Sequence, residues 1–299
     1  MISSLSDSTL KQYGTALKFW WNFCLIHNQD PVTAGEKFVL KCLTQKFAEG
    51  AAYGTLNSMR SAITLVNVNN LTESKDLNRF MKGVFRIRPV LRKYDSTWDT
   101  TQVLEILETW YPLDSLDFSK LTHKLVMLLA LGSGYRVQSL SLIKLNNITR
   151  KNNGIEIKIS DLIKTSRPGV ANPITFFPFF EDKPQLCIAR TLLFYLEITK
   201  NIRNNTQQLF ISTIQPYKPV SSKTISRWIK EVLTEAGVDN KFTAHSTRHA
   251  STSKAQKKGL NINLIKKAAG WSESSKTFDV FYNTNIEVED NFAKKVFDM

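Results

Sequence analysis

The chain has 299 residues, 42% of them hydrophobic, with 12 glycines, 9 prolines and a net charge of +14 at pH 7; a globular protein of two domains is expected, and a disordered tail is excluded. The apolar stretch at residues 125–131 falls far short of the roughly 18 residues a membrane span needs, and residues 1–30 lack a secretory layout because Ser8 and Thr9 lead straight into an amphipathic pattern. Cys24, Cys42 and Cys187 are odd in number and lack C-x-x-C spacing, as reduced interior residues of an intracellular protein would be, and four histidines without a Cys/His cluster argue against a structural zinc site.

The first third reads as helices. Leu10, Tyr13, Leu17, Trp20, Trp21 and Cys24 recur at three- and four-residue steps, the apolar face of one long helix. Phe38, Val39, Leu43 and Phe47 form a second face, ended by Gly50. Leu56, Met59, Ile63 and Val66 form a third, begun after Gly54, and Leu77, Phe80, Met81, Val84 and Phe85 a fourth. Short helices in this arrangement resemble a compact bundle. Arg79, Lys82, Arg86, Arg88, Arg92 and Lys93 follow with no acidic residue between them, and Pro89 breaks the helix inside the run. Two readings fit this segment: a strap across a DNA backbone, or a solvated connector.

The second domain begins near Trp98. Residues 101–110 and 121–132 are apolar-periodic helices, and Gly132 and Gly134 break the pattern before Arg136. Ile155, Ile157 and Ile159 alternate with polar neighbours, and residues 173–177 give a second strand signal. Residues 164–169 fill the space between as turn chemistry. Helical patterns follow at 185–200, 221–236, 246–258 and 261–269, closed by Gly270. The domain is mainly α with a small antiparallel sheet. Basic residues exceed acidic ones 13 to 7 in residues 1–98 and 27 to 19 in the remainder, so the excess spans both domains. Nucleic acid is the commoner reason for such a balance.

His245 and Arg248 stand three apart at the start of a helical run, so both project from one face. Arginine there can grip two phosphate oxygens in a fork while histidine donates or relays a proton. Alone, H-x-x-R equally describes a surface pair. Arg136 enters a helix directly after a Gly-rich break, placed to reach into a cleft, although an exposed arginine is the simpler reading. Lys164 sits at the tip of the expected hairpin, either solvated or able to enter a minor groove and bring an ammonium to a leaving oxygen. With Trp271 as an indole donor and Tyr282 as a phenolic nucleophile, these residues can form a metal-free phosphoryl-transfer site. On a chain this basic, the phosphate at hand is the DNA backbone.

The order Arg136, Lys164 on a hairpin, His245-x-x-Arg248, Trp271 and Tyr282 resembles the catalytic domain of the tyrosine recombinases, or phage-integrase family. Residues 131–136, 244–249 and 269–271 through 281–282 look like its three signature boxes. The helix carrying Tyr13 to Trp21, then Lys82-Gly83-Val84, Arg88-Pro89 and Trp98-Asp99, look like the core-binding domain and linker of DIRS-type retrotransposon recombinases. The resemblance implies a SAM-like helical core-binding domain at 1–88, a basic linker at 89–98 and an α+β catalytic domain with a C-terminal tail at 99–299. It implies that Arg136 and Arg248 bind the scissile phosphate, that His245 assists deprotonation of the nucleophile, and that Trp271 donates its indole N–H to a phosphate oxygen. Lys164 would protonate the departing 5′ oxygen, and Tyr282 would form a 3′-phosphotyrosyl link. His249 would support the site, and Arg86, Arg88, Arg92 and Lys93 would contact DNA. No metal, cofactor or ATP is implied. Two departures from the family pattern stand out: Ser139 where an acid is common, and an eleven-residue step from Trp271 to Tyr282, longer than the family spacing.

The function expected is that of a site-specific recombinase, the integrase of a mobile element. Its partner would be double-stranded DNA, held by a C-shaped clamp, with a homo-tetramer on two duplexes exchanging strands through a Holliday junction. Neither a membrane nor a small-molecule substrate is expected, and the protein would reside with DNA inside the cell. The tail at 283–299, with Val288, Phe292, Val296 and Phe297 at near-helical spacing, would pack on a neighbouring protomer. The alternatives are a type IB topoisomerase-like nicking-closing enzyme and an inactive DNA-binding remnant.

Overall fold

In the computed structural model, which describes residues 4–91, 94, 96–166, 168–169, 172–272 and 275, the chain divides into two compact units, Met1–Lys93 and Tyr94–Met299. The first is helical: α1 (Asp7–Ile26), α2 (Glu36–Ala48), α3 (Tyr53–Val66) and α4 (Lys75–Ile87). The cap of α1 is Ser6, whose side chain accepts the Thr9 N–H, two residues before the Ser8-Thr9 start expected from the sequence. Trp20 is fully buried and its indole N–H donates to the Pro31 carbonyl at 3.0 Å. Trp21, one step round the helix, faces outward at 44% exposure, so the expected apolar face is narrower than the run of hydrophobic letters. Phe85 is likewise exposed, while Leu77, Met81 and Val84 turn inward from α4.

The second unit is built on α6 (Phe118–Ser133), whose residues from Leu121 to Ala130 are buried nearly without interruption except at His123. A helix apolar on almost every side must be enclosed. Around it pack α8 (Ile188–Thr199), α9 (Ser222–Glu235) and α10 (Ser246–Lys257), with α5 (Thr100–Thr109) against α10. Two further short helices, α7 (Val137–Ser141) and α11 (Ile262–Ala268), follow the ends of α6 and α10.

The sheet has three antiparallel strands in sequence order, β1 (Ile148–Lys151), β2 (Gly154–Lys158) and β3 (Ile174–Pro178), pairing Ile148 with Ile157 and Ile155 with Phe177. Gly154 is required at its place: a Cβ there would lie 2.3 Å from the Phe177 carbonyl oxygen. β1 was not expected, because its sequence Ile-Thr-Arg-Lys offers one apolar residue and no alternation to read. The mainly helical architecture with a small antiparallel sheet is the one the sequence implies. No helix among the described residues is long and apolar enough to cross a membrane.

The segment read as a linker divides in two. Arg88 caps α4 and donates through Nη1 to the carbonyls of Phe47 at 2.7 Å and Ala51 at 2.9 Å, with its guanidinium 4.0 Å from the Phe47 ring centre. Its charge therefore secures the end of α2. Tyr94 and Trp98, at the other end, pack into the second unit.

Lys124 is fully buried in α6, and its ammonium donates to the Leu107 carbonyl at 2.9 Å and to that of Trp110. Desolvation lowers its pKa from 10.5 to about 8. An unfolded lysine keeps its proton to about pH 10.4, so between about pH 8 and that value the unfolded chain binds more protons, and stability rises with pH. Denaturant unfolding of the wild type should show a gain on the order of 1–3 kcal/mol across this window that Lys124→Met lacks; parallel curves for the two proteins would refute a buried, depressed lysine.

Candidate active site

Gly134 ends α6 in the left-handed conformation, φ 61°, a geometry that favours glycine. The chain then turns through Tyr135 so that Arg136 becomes the N-cap residue of α7. Tyr135 is buried, and its hydroxyl is 2.5 Å from Thr175 Oγ1 on β3. The turn that presents Arg136 is thus tied to the sheet. Burial raises the Tyr135 pKa and outweighs that hydrogen bond, which lowers it.

Arg136 and His245 meet in one cavity of about 520 Å³, which is also lined by Gln138, Lys223, Arg227 and Lys230. Arg136 is half-buried and His245 exposed. Among the described residues, none lining this cavity is acidic. Lys223, Arg227 and Lys230 recur at four- and three-residue steps along α9 and so share one face. Lys230 also fixes the approach to His245, donating to the carbonyls of Asn240 at 3.0 Å and Phe242 at 2.9 Å. Arg227 lies 3.6 Å from Glu231 one turn on, an exposed pair that binds weakly. The cavity is therefore a cationic, hydrogen-bond-donating recess suited to an anion.

Arg248 differs from its neighbour three residues earlier. It is 1% exposed, and its Nη1 donates to the Gly134 carbonyl at 2.5 Å and the Ala269 carbonyl at 2.6 Å. The Trp271 ring centre lies 3.7 Å from its guanidinium carbon, a cation–π contact. Gly134 and Ala269 are the C-caps of α6 and α11, so Arg248 stands where two helix ends direct partial negative charge. Trp271 is buried on this guanidinium.

Lys164 is exposed in the turn between β2 and β3. Asn172 closes the base of that loop, donating to the carbonyls of Ile159 at 3.0 Å and Asp161 at 2.8 Å. A Cβ on Gly270 would lie 3.2 Å from Pro173, so the returning limb of the loop packs beside the turn that presents Trp271. Ser139, read from the sequence as a departure from the family pattern, is buried in α7. His249 is buried with its ring edge-on to Tyr94. Arg86 is exposed on the last turn of α4. Tyr282, Arg92, Lys93 and the tail at 283–299 lie outside the described residues.

Residues 98–287 match the model of the phage integrase family. The chain belongs to that family, whose members include the tyrosine recombinases. A lambda integrase dimer bound to a COC′ core site shares its fold with a TM-score of 0.60 at 18% identity, covering 95% of this chain and 74% of that one. A lambda integrase tetramer bound to a Holliday junction gives a TM-score of 0.56 at 18% identity, covering 95% and 74%. The Tn1549 transposon integrase, in complex with circular intermediate DNA, gives 0.55 at 15% identity, covering 90% and 86%. No curated protein matches the chain significantly.

Sequence reasoning passed over Lys223, Arg227 and Lys230, although their spacing on a helix 221–236 was legible. It also gave Trp98 no role beyond resemblance. Arg248→Ala removes the donor from two buried carbonyls and the cation from Trp271, and should lower unfolding stability by about 3 kcal/mol. A change within about 0.5 kcal/mol, typical of surface sites, would show that these contacts do not hold the helix ends.

Proposed function

We propose that the chain is a site-specific DNA recombinase that cuts and rejoins DNA through a 3′-phosphotyrosyl intermediate on Tyr282. The observation that carries this reading is the convergence of Arg136 and His245 on one cationic cavity, with Arg248 and Trp271 packed together behind the Gly134 turn. In this reading Arg136 and Arg248 bind the scissile phosphate and neutralise charge as it builds on the non-bridging oxygens. The Tyr282 hydroxyl oxygen attacks phosphorus, its proton passes to His245, and the bond from phosphorus to the 5′ oxygen breaks. Lys164 delivers a proton to that oxygen, and the Trp271 indole supports a phosphate oxygen.

The chemistry needs this much help. A free phenol has a pKa of about 10, so about one in a thousand is ionised near neutrality, and each preorganised donor to a developing oxyanion is worth roughly 3–4 kcal/mol. Guanidinium groups provide the charge that a metal ion supplies in other phosphoryl-transfer sites. The energy of the broken phosphodiester is kept in the tyrosyl ester, so rejoining needs no ATP.

Residues 1–88 then act as the core-binding part, 89–98 as the connection and 99–299 as the catalytic part. Arg86, Arg92 and Lys93 are proposed to contact DNA, whereas the use of Arg88 on α2 favours a structural role. The lambda integrase tetramer on a Holliday junction supports assembly as a tetramer on two duplexes, and the Tn1549 transposon integrase supports a place in a mobile element. The DIRS-type sub-family is proposed on the residues at 13–21, 82–84, 88–89 and 98–99 alone.

Trapping on a suicide duplex tests this. Wild type should give a covalent protein–DNA adduct, and Tyr282→Phe should bind the duplex without forming one. An adduct that persists in Tyr282→Phe would move the nucleophile elsewhere, and no wild-type adduct would favour the inactive remnant. Affinity should also fall with salt, with a log–log slope near −0.9 per phosphate neutralised; a flat response between low and physiological salt would contradict binding through the backbone.

A further inference from the structure

The chain enters the second unit by gripping both sides of His245. The hydroxyl of Tyr94 is 2.9 Å from Thr243 Oγ1 and accepts the Thr243 N–H at 3.2 Å. Its ring lies against Phe242, centroids 5.2 Å apart. Trp98 donates its indole N–H to Ser246 Oγ at 2.9 Å, and Ser246 in turn donates to the Thr243 carbonyl at 2.7 Å. Lys254, two turns further along α10, donates to Asp99 at 3.4 Å and Thr101 at 2.8 Å. Residues 243 and 246 are thus tied to residues 94 and 98, while His245 between them faces the cavity.

His245 occupies the N-cap position of α10 with helical dihedrals and no side-chain cap, so capping is not what orients its imidazole. We propose that Tyr94 and Trp98 are positioning residues for His245. They fix the backbone that flanks it, and a displacement of the incoming chain reaches the imidazole through these hydrogen bonds. The proposal rests on the reading above, in which His245 takes the proton of the nucleophile. A general base must stand within hydrogen-bond reach of that proton, and misplacement by about 1 Å can cost on the order of a hundredfold in rate. Among the described residues, the charged groups sharing the cavity with His245 are Arg136 at the start of α7 and Lys223, Arg227 and Lys230 from α9.

Tyr94→Phe removes the hydroxyl, and with it the contacts to Thr243, while keeping the ring in place, and Trp98→Phe is an independent second variant. Single-turnover cleavage of the suicide duplex is measured for each between about pH 6 and about pH 9, alone and combined with His245→Ala. Each single variant should slow cleavage about tenfold, alter the acid limb of the pH–rate profile and leave DNA affinity unchanged. In the His245→Ala background the same change should cost less than about twofold, since coupled residues are not additive. Wild-type rates in both variants, equal losses with and without His245, or a loss found in affinity alone would overturn the proposal. Cleavage at the wild-type rate by His245→Ala itself would overturn the role of His245, an outcome read without either positioning variant.

Discussion

Arg248 sits at the meeting of three chain segments, its Nη1 shared between the carbonyls of Gly134 and Ala269 and its planar face against Trp271. Burying a guanidinium costs several kcal/mol unless hydrogen bonds and opposite charge offset the loss of water. Here the ends of α6 and α11 supply that offset through their carbonyl dipoles. Because Gly134 lies two residues before Arg136 and Arg248 three after His245, the same contact sets the spacing of Arg136 and His245 within the cavity. Arginine suits this post where lysine would not, since its fixed fork can address several acceptors at once.

Around that centre the remaining contacts are of ordinary strength, and their effect comes from where they attach. Tyr135 joins the Arg136 turn to β3 through Thr175. Pro173, just before β3, packs on Gly270 beside Trp271. Lys230 holds the carbonyls of Asn240 and Phe242 ahead of His245. Each ties a segment bearing a candidate residue to a neighbouring element, so the site is supported from the sheet, from the returning limb of the β2–β3 loop and from α9. Several cations on one wall repel one another, and an anion entering the cavity relieves that repulsion. This is a physical reason for a polyanionic ligand that stands apart from resemblance.

Much of this was legible in the sequence, for identifiable reasons. Helix periodicity placed α1 to α6 and α8 to α11 because buried faces recur at three and four residues. Gly134 before Arg136 marked the turn because a left-handed residue there favours glycine. Other features were hidden. β1 carries one apolar residue at a sheet edge, too little for a period of two. Trp20 and Trp21 look alike as letters, and only the tertiary neighbour at Pro31 decides which one turns inward. Arg88 read as one more charge in a basic run, since its partners Phe47 and Ala51 lie some forty positions away. The burial of Arg248 and its two carbonyl partners was equally invisible, because partners 114 and 21 residues distant leave no local pattern.

The central claim is that Arg136, His245 and Arg248 address a single DNA phosphate. The most direct test is the structure of Tyr282→Phe bound to a duplex carrying its cleavage site. The account predicts one phosphate within hydrogen-bond distance of both guanidinium groups, with the His245 imidazole facing the attacking side. Duplex bound elsewhere on the second unit, with the 520 Å³ cavity empty of phosphate, would contradict it.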